Sequence, residues 1–380
     1  MWKRMRAVAV GALLVLGLAA CGGQGAGGGG GAGSGGAPQD MLVGVAMPTQ
    51  TSERWIADGN AVRDQLSAAG YRVDLQFAND DIPTQSQQID QMITQGADVL
   101  IVAAIDGTAL SGQLQAAKAA NIPVIAYDRL IRETPDVDFY VTFDNFQVGV
   151  AQARALLTGL GLQKADGTPG AEKGPFVVEL FAGSLDDNNA FYFYDGAMSV
   201  LRPLIDAGTL RVRSGQTGIE QIATLRWAQE TAQKRMEDLL TGSYSDGTRV
   251  DGVLSPYDGI SRGVITALQN AGYGSAARPL PVVTGQDAEI ASVKMIADGQ
   301  QSSTIFKDTR ELAKQAVAAS TAFLQGRTPE ANDTTTYDNG VKVVPSHLLP
   351  VQTVFRADIT PKLVDTGYYT AEDVARGRQG

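Results

Sequence analysis

Leu42-Val43-Gly44-Val45-Ala46-Met47 is followed by an amphipathic stretch over 53–69 and then by Tyr71-Arg72-Val73-Asp74-Leu75-Gln76-Phe77. An apolar run, a helical pattern and a second apolar run together read as a βαβ unit. The same alternation continues down the chain and predicts strands at 42–47, 71–77, 99–102, 123–127, 139–143, 176–181, 210–213, 252–255, 281–284 and 303–306. Between most of them it predicts helices, at 53–69, 84–95, 110–119, 146–160, 190–207, 231–240, 261–271, 290–298 and 309–324. Strands that are apolar almost throughout belong to parallel sheets covered on both faces, so the fold class is α/β. At about 150 residues per domain, so many strands fit two sheets better than one.

The usual phosphate cradles of such folds are missing. No Gly-x-Gly-x-x-Gly follows the first strand, and no Gly-x-x-x-x-Gly-Lys-Ser/Thr loop occurs. Composition narrows the chemistry further. The 380 residues hold one Cys and one His, which excludes internal disulfides and Cys-based zinc or iron–sulfur sites and leaves little room for a His-dependent triad. His347 reads as structural. A net charge of −10 argues against a nucleic-acid binder, which needs a basic face.

The single Cys sits in a telling place. Lys3, Arg4 and Arg6 precede an uncharged run from Ala7 to Ala20, which ends in Leu18-Ala19-Ala20-Cys21. This reads as a signal peptide over 1–20, too short to span a bilayer. Its ending resembles a bacterial lipobox, with Cys21 the lipidated residue. Residues 21–40 then form a tether, 11 Gly lying between Gly22 and Gly36, and a Gly-rich coil of that length spans about 24 Å. Removing the three basic signal residues leaves 28 basic against 41 acidic side chains.

In open parallel sheets ligands bind beyond the carboxyl ends of the strands. The residues there are Thr51-Ser52-Glu53-Arg54-Trp55, Asp128-Arg129, Asp144-Asn145, Leu185-Asp186-Asp187-Asn188-Asn189-Ala190-Phe191, Pro256-Tyr257-Asp258, Gly285-Gln286-Asp287 and Lys307. Carboxylates accept hydrogen bonds, cations donate and carboxamides do both, which is what the hydroxyls of a carbohydrate require. Flat aromatic rings suit its C–H faces, and Trp55 and Trp227 fall one in each half. Plainer alternatives stay open: Asp144, Asp258 and Asn189 as helix caps, Asp128-Arg129 as an ion pair, Trp227 as a helix core residue, and Lys307 as an ordinary surface lysine.

Several longer segments carry a resemblance: 43–48, 54–60, Ile125-Ala126-Tyr127-Asp128-Arg129-Leu130-Ile131, Thr142-Phe143-Asp144-Asn145-Phe146-Gln147-Val148-Gly149, Asp186-Asp187-Asn188-Asn189-Ala190-Phe191, Leu225-Arg226-Trp227, Leu254-Ser255-Pro256-Tyr257-Asp258-Gly259, Gly285-Gln286-Asp287 and Ile305-Phe306-Lys307-Asp308-Thr309-Arg310-Glu311. They resemble the xylose-binding branch of the periplasmic sugar-binding proteins, from about residue 41 to 369. The resemblance implies a type I periplasmic binding protein: two Rossmann-like lobes with parallel sheets joined by a three-crossing hinge. It places the N-terminal lobe at 41–144, completed by 306–343, and the C-terminal lobe at 145–305, completed by 344–380. Residues 164–173 read as a loop extension on the second lobe.

The resemblance also implies a ligand set: Arg54, Trp55, Asp128, Arg129, Asn145, Asn189, Trp227, Asp258, Asp287 and Lys307, with Asn188, Phe191, Tyr257 and Gln286 as lesser members. Where relatives place an Asn before the residue matching Asp258, this chain has Tyr257. No calcium loop has a counterpart, so no metal and no cofactor are expected. The implied function is that of an extracytoplasmic, lipid-anchored, monomeric receptor that hands an aldose of the xylose, glucose or galactose type to an ABC permease. A sensor presenting the sugar to a membrane kinase or chemoreceptor is the alternative. A glycoside hydrolase built on Asp128 with Asp258 or Asp287 is a third reading, disfavoured because an adjacent Arg lowers a carboxyl's pKa and spoils it as a general acid.

Overall fold

A computed structural model of the chain describes residues 37–379. The expected signal peptide, Cys21 and most of the expected tether lie outside those residues.

The first lobe begins with β1 (Leu42–Met47), α1 (Glu53–Ala68), β2 (Arg72–Phe77), α2 (Ile82–Thr94), β3 (Val99–Val102), α3 (Ser111–Ala119), β4 (Val124–Tyr127) and β5 (Phe139–Phe143). The second lobe follows as α4 (Asn145–Gly159), β6 (Phe176–Leu180), α5 (Asn189–Asp206), β7 (Leu210–Val212), α6 (Ile219–Ile222), α7 (Gln229–Gly242), β8 (Gly252–Leu254), α8 (Asp258–Asn270), β9 (Val282–Val283) and α9 (Ile290–Ala297). The chain ends with β10 (Ser303–Phe306), α10 (Thr309–Leu324), β11 (Ser346–Leu349), β12 (Gln352–Phe355) and α11 (Ala371–Arg376). All ten expected strands form: four have the expected bounds, five are one residue shorter at one end, and the strand expected at 281–284 is one residue shorter at each end. β11 and β12 come in addition to them.

Two parallel sheets result. The first runs β11-β5-β4-β3-β1-β2 and the second β7-β6-β8-β9, while β10 and β12 form a separate antiparallel pair. In each sheet the strand order reverses beside its first strand, between β1 and β3 and between β6 and β8, which opens a crevice at the carboxyl ends. Each sheet is apolar on both faces. Leu100, Val102, Val124 and Tyr140 pack toward one side of the first, and Val43, Val45, Ile101 and Val141 toward the other. Leu180, Leu254 and Leu156 face one side of the second, Val253, Val264 and Met236 the other.

Helix starts follow local chemistry. Asp81, Asp144 and Asp308 each accept a bond from a backbone N–H in the first turn of the helix that follows, satisfying donors that the helix cannot. α4 and α5 approach closely because Gly149 and Gly196 face the partner's backbone, where a Cβ would collide.

The chain passes between the lobes after β5, after β10 and between β11 and β12. α10 returns to the first lobe, where Leu312, Ala313 and Ala316 enter its core. Ser346–Leu349 pairs in register with Phe143 and its neighbours of β5, so this stretch extends the first sheet and does not belong to the second lobe as its place in 344–380 implied. The remaining C-terminal segment packs on α9 through Ile359, Leu363 and Tyr369. The third passage thus falls at Pro350-Val351, later than expected.

Candidate functional site

The carboxyl ends of the two sheets face each other across a cavity of about 350 Å³. The first turn of α1 supplies Arg54 and Trp55, and the loop after β4 supplies Asp128 and Arg129, all from one lobe. From the other, α5 supplies Asn189, a turn before α7 supplies Trp227, and loops after β8 and β9 supply Tyr257, Gln286 and Asp287; Lys307 follows β10 on the second crossing.

Arg54 is the centre of a buried charge network. Its Nε lies 3.0 Å from Asp58 Oδ2 and its Nη2 2.7 Å from Asp128 Oδ1. Its Nη1 reaches Asp128 Oδ2 at 3.0 Å and Asp287 Oδ1 of the other lobe at 3.5 Å. Lys307 Nζ lies 3.0 Å from Asp287 Oδ1 and 3.8 Å from Asp128 Oδ1. Arg129 Nε pairs with Asp187 Oδ2 at 3.0 Å, again between lobes. Burial alone would raise the Asp128 carboxyl, but Arg54 and then Lys307 outweigh it and hold it at about 2. Asp58 goes the other way: burial pushes it up to about 7 against the pull of Arg54 and of the Tyr127 hydroxyl that donates to it. Burial also raises Asp187, with Arg129 opposing.

The backbone is held in an unusual shape. Asp128 has φ +59° and Asp287 φ +88°, left-handed conformations that non-glycine residues rarely adopt. Three donors converge on the Asp128 carbonyl: Tyr140 OH at 2.6 Å, Thr142 Oγ1 at 3.0 Å and Asn189 Nδ2 at 2.9 Å. They fix the turn that aims the Asp128 carboxylate into the cavity.

Aromatic rings form the walls. Both Arg54 and Arg129 lie over the Trp55 ring, 4.8 and 5.0 Å from its centroid. Trp227 is not a helix core residue; it and Arg226 both have positive φ, 55° and 56°, in a tight turn. Its six-membered ring lies against Gly183, where any Cβ would collide with it. Phe193 and Tyr257 meet it edge-on, each with ring centroids 6.2 Å away. The indole N–H of Trp227 is buried and has no hydrogen-bond partner among the described residues.

Ten of the expected residues therefore line the cavity: Arg54, Trp55, Asp128, Arg129, Asn189, Trp227, Tyr257, Gln286, Asp287 and Lys307. Four do not. Asn145 is buried behind it and donates to Asn189 Oδ1 at 2.9 Å, so it orients a lining residue. Asp258 faces away, accepting from Gln301 Nε2 at 2.8 Å, Thr304 Oγ1 at 3.1 Å and the Glu289 backbone N–H at 2.9 Å. Burial and then Glu289 raise its carboxyl well above the usual range. Asn188 is the residue before α5, and Phe191 packs into the second lobe's core.

Asp187, Phe193 and the rim residues Thr49, Thr51, Ser52, Asp80, Arg226, Gln229 and Arg262 also line the cavity and fall outside the expected ligand set. Phe193 carries a signal in the sequence: it lies four residues after Asn189, on the same helical face, whereas Phe191 is turned most of the way round.

Taken together the cavity offers paired cations and carboxylates, amides and flat rings, with charges largely balanced. That suits a small neutral molecule carrying many hydroxyls.

Comparison with known proteins agrees. The model of the periplasmic binding protein domain matches residues 43–328. The multiple sugar-binding periplasmic receptor ChvE of Rhizobium radiobacter is 57% identical over 332 residues, 87% of this chain and 92% of that protein. The D-xylose-binding periplasmic protein of Escherichia coli K12 is 34% identical over 336 residues, 88% and 93% of the two chains. An ABC transporter solute-binding protein of Clostridium phytofermentans, solved with bound β-D-glucose, superposes with a TM-score of 0.82 at 45% identity, covering 88% of this chain and 99% of that one.

Proposed function

The chain belongs to the periplasmic binding protein family, and from that premise we propose that it is an extracytoplasmic receptor for an aldose of the xylose, glucose or galactose type. It delivers the sugar to an ABC importer. The observation that carries the reading is the charge network shared by both lobes: Asp128 from the first, Asp287 from the second and Lys307 on the crossing. A ligand that bonds to all three gains its full contacts only when the lobes are together, so its binding shifts the hinge equilibrium toward the closed form.

Roles follow from charge. Asp128 and Asp287 accept from sugar hydroxyls, while Lys307, Arg129 and the outer edge of Arg54 donate. Trp55 and Trp227 cover the two faces of the sugar ring, and the free indole N–H of Trp227 supplies one further donor. With its carboxyl held at about 2, Asp128 is ionised at neutral pH and serves as an acceptor, not as the general acid of a hydrolase. The receptor needs no covalent step. Titrating the purified protein calorimetrically with xylose, glucose, galactose and arabinose tests this: heat of binding from at least one is expected, and silence from all four would overturn the reading.

The Leu18-Ala19-Ala20-Cys21 ending supports a lipid anchor at Cys21, which keeps the receptor near its permease. Cys21→Ser should release the protein from the membrane fraction; retention of the variant there would exclude this anchor.

A further inference from the structure

Ser52 occupies the position before α1 where a serine normally caps the helix, yet its hydroxyl makes no bond to that helix. Instead Oγ donates across the cleft to Oε1 of Glu289 at 2.7 Å. The next residue reaches the same way. Glu53 Oε2 accepts from the backbone N–H of Ile290 at 3.2 Å, and so a carboxylate of the first lobe satisfies the opening donor of α9 in the second. Glu289, which precedes α9, makes no cap of its own. The start of α9 is thus capped from the first lobe, while the hydroxyl before α1 is spent on a carboxylate of the second.

Glu289 is prepared for this from its own side. Only 3% of it is exposed. Tyr257 OH donates to Oε1 at 2.7 Å and Arg262 Nη2 to Oε2 at 2.6 Å. Asp258 holds its backbone N–H, and the left-handed pair Asp287 and Ala288 turns the chain so that Asp287 meets Arg54 while Glu289 meets Ser52. Tyr257, Arg262 and Asp258 all belong to the second lobe, as Glu289 does. The carboxylate is thus in place before the lobes meet, and the hydroxyl of Ser52 is what arrives on closing. This also gives Asp258 a role that does not involve the ligand.

We propose that Glu289 is a closure latch: through Ser52 it stabilises the closed form by a contact between lobes that does not pass through the sugar. It rests on the receptor reading above. Such a positioning residue sets how long any sugar stays and leaves the choice among sugars unchanged, because a contact made on closing slows dissociation more than it speeds association.

Stopped-flow kinetics with D-glucose and D-xylose as probes test it. Ser52→Ala removes no helix cap, so the fold is kept. It should speed dissociation about tenfold for both sugars with association within about twofold of wild type. Ser52→Thr, which restores the hydroxyl, should return dissociation close to wild type. Unchanged dissociation in Ser52→Ala, or acceleration confined to one sugar, would overturn the latch, the latter by making Ser52 a direct ligand contact. A wild-type protein that binds neither these sugars nor galactose and arabinose sinks the receptor reading and the latch with it; a wild type that binds beside an unaltered variant sinks the latch alone.

Discussion

Lys307 Nζ lies 3.0 Å from Asp287 Oδ1, with 1% of the lysine side chain exposed. An ammonium so buried is tolerable only beside carboxylates, and Asp128 at 3.8 Å completes the set from the other lobe. Lys307→Met keeps the length of the side chain and removes the charge. Asp287 then has only Arg54, at 3.5 Å, and the ligand loses a charge-assisted donor. Removing one partner of a buried charge pair costs about 2–5 kcal/mol, so calorimetry should show sugar affinity reduced by about thirtyfold or more. Affinity within about threefold of wild type would exclude the assigned role.

Trp227 depends on the absence of a side chain at Gly183. Its ring fills the place a Cβ would take, and its own backbone is strained at φ +55°. Gly183→Ala should therefore displace the indole and weaken sugar binding by about tenfold, the value of a lost aromatic contact of about 1.4 kcal/mol. Far-UV circular dichroism should stay unchanged. Full affinity in this variant would mean that the ring does not cover the sugar.

The part of the site that could be read from sequence is the part that follows from sheet geometry alone. In a parallel α/β lobe the residues after each strand must converge on one edge, so Arg54, Asp128, Asp287 and Lys307 are found without knowledge of packing. The same rule fails at Asn145 and Asp258, the first residues of α4 and α8, because position after a strand does not say whether a side chain faces the cleft or the sheet behind it. β11 and β12 escape the alternation because Pro350-Val351 joins them with no helix between. The turn at Leu225-Arg226-Trp227 escapes it too, since two consecutive left-handed residues override any periodic pattern.

Stability should respond to pH in two opposed steps. Asp58 rises from 3.8 to about 7 on folding, so its proton stabilises the fold; that contribution is complete below the unfolded value and is lost as pH rises through 7. Asp128 falls from 3.8 to about 2, so its contribution is complete above 3.8 and is lost as pH drops toward 2. Urea denaturation should show the wild type more stable at pH 5 than at pH 8, with Asp58 carrying about 2 kcal/mol of the difference. Asp58→Asn still offers an oxygen to Arg54 and Tyr127 but has no proton to lose, and it should remove most of that difference. Asp187 and Asp258, also raised by burial, act in the same direction. An equal difference in the variant would show that Asp58 is ionised throughout.

Phe191 and Phe193 separate packing from binding within one helix. Both belong to α5, but a step of two residues turns the side chain through about 200°. Phe193 lines the cleft, edge-on to Trp227, and its ring centroid lies 5.6 Å from Lys307 Nζ. Phe191 packs instead with the core around Leu201 and Ile222. Phe193→Leu should weaken sugar binding by about fivefold to tenfold through lost aromatic and cation–π contacts, with a small change in thermal midpoint. Phe191→Leu should lower the thermal midpoint and leave affinity within about twofold of wild type, since only the core is disturbed. Calorimetry and thermal melts on the two variants read both quantities. The reverse pattern would mean that α5 turns the face carrying Phe191 toward the sugar and buries Phe193 in the core of the second lobe.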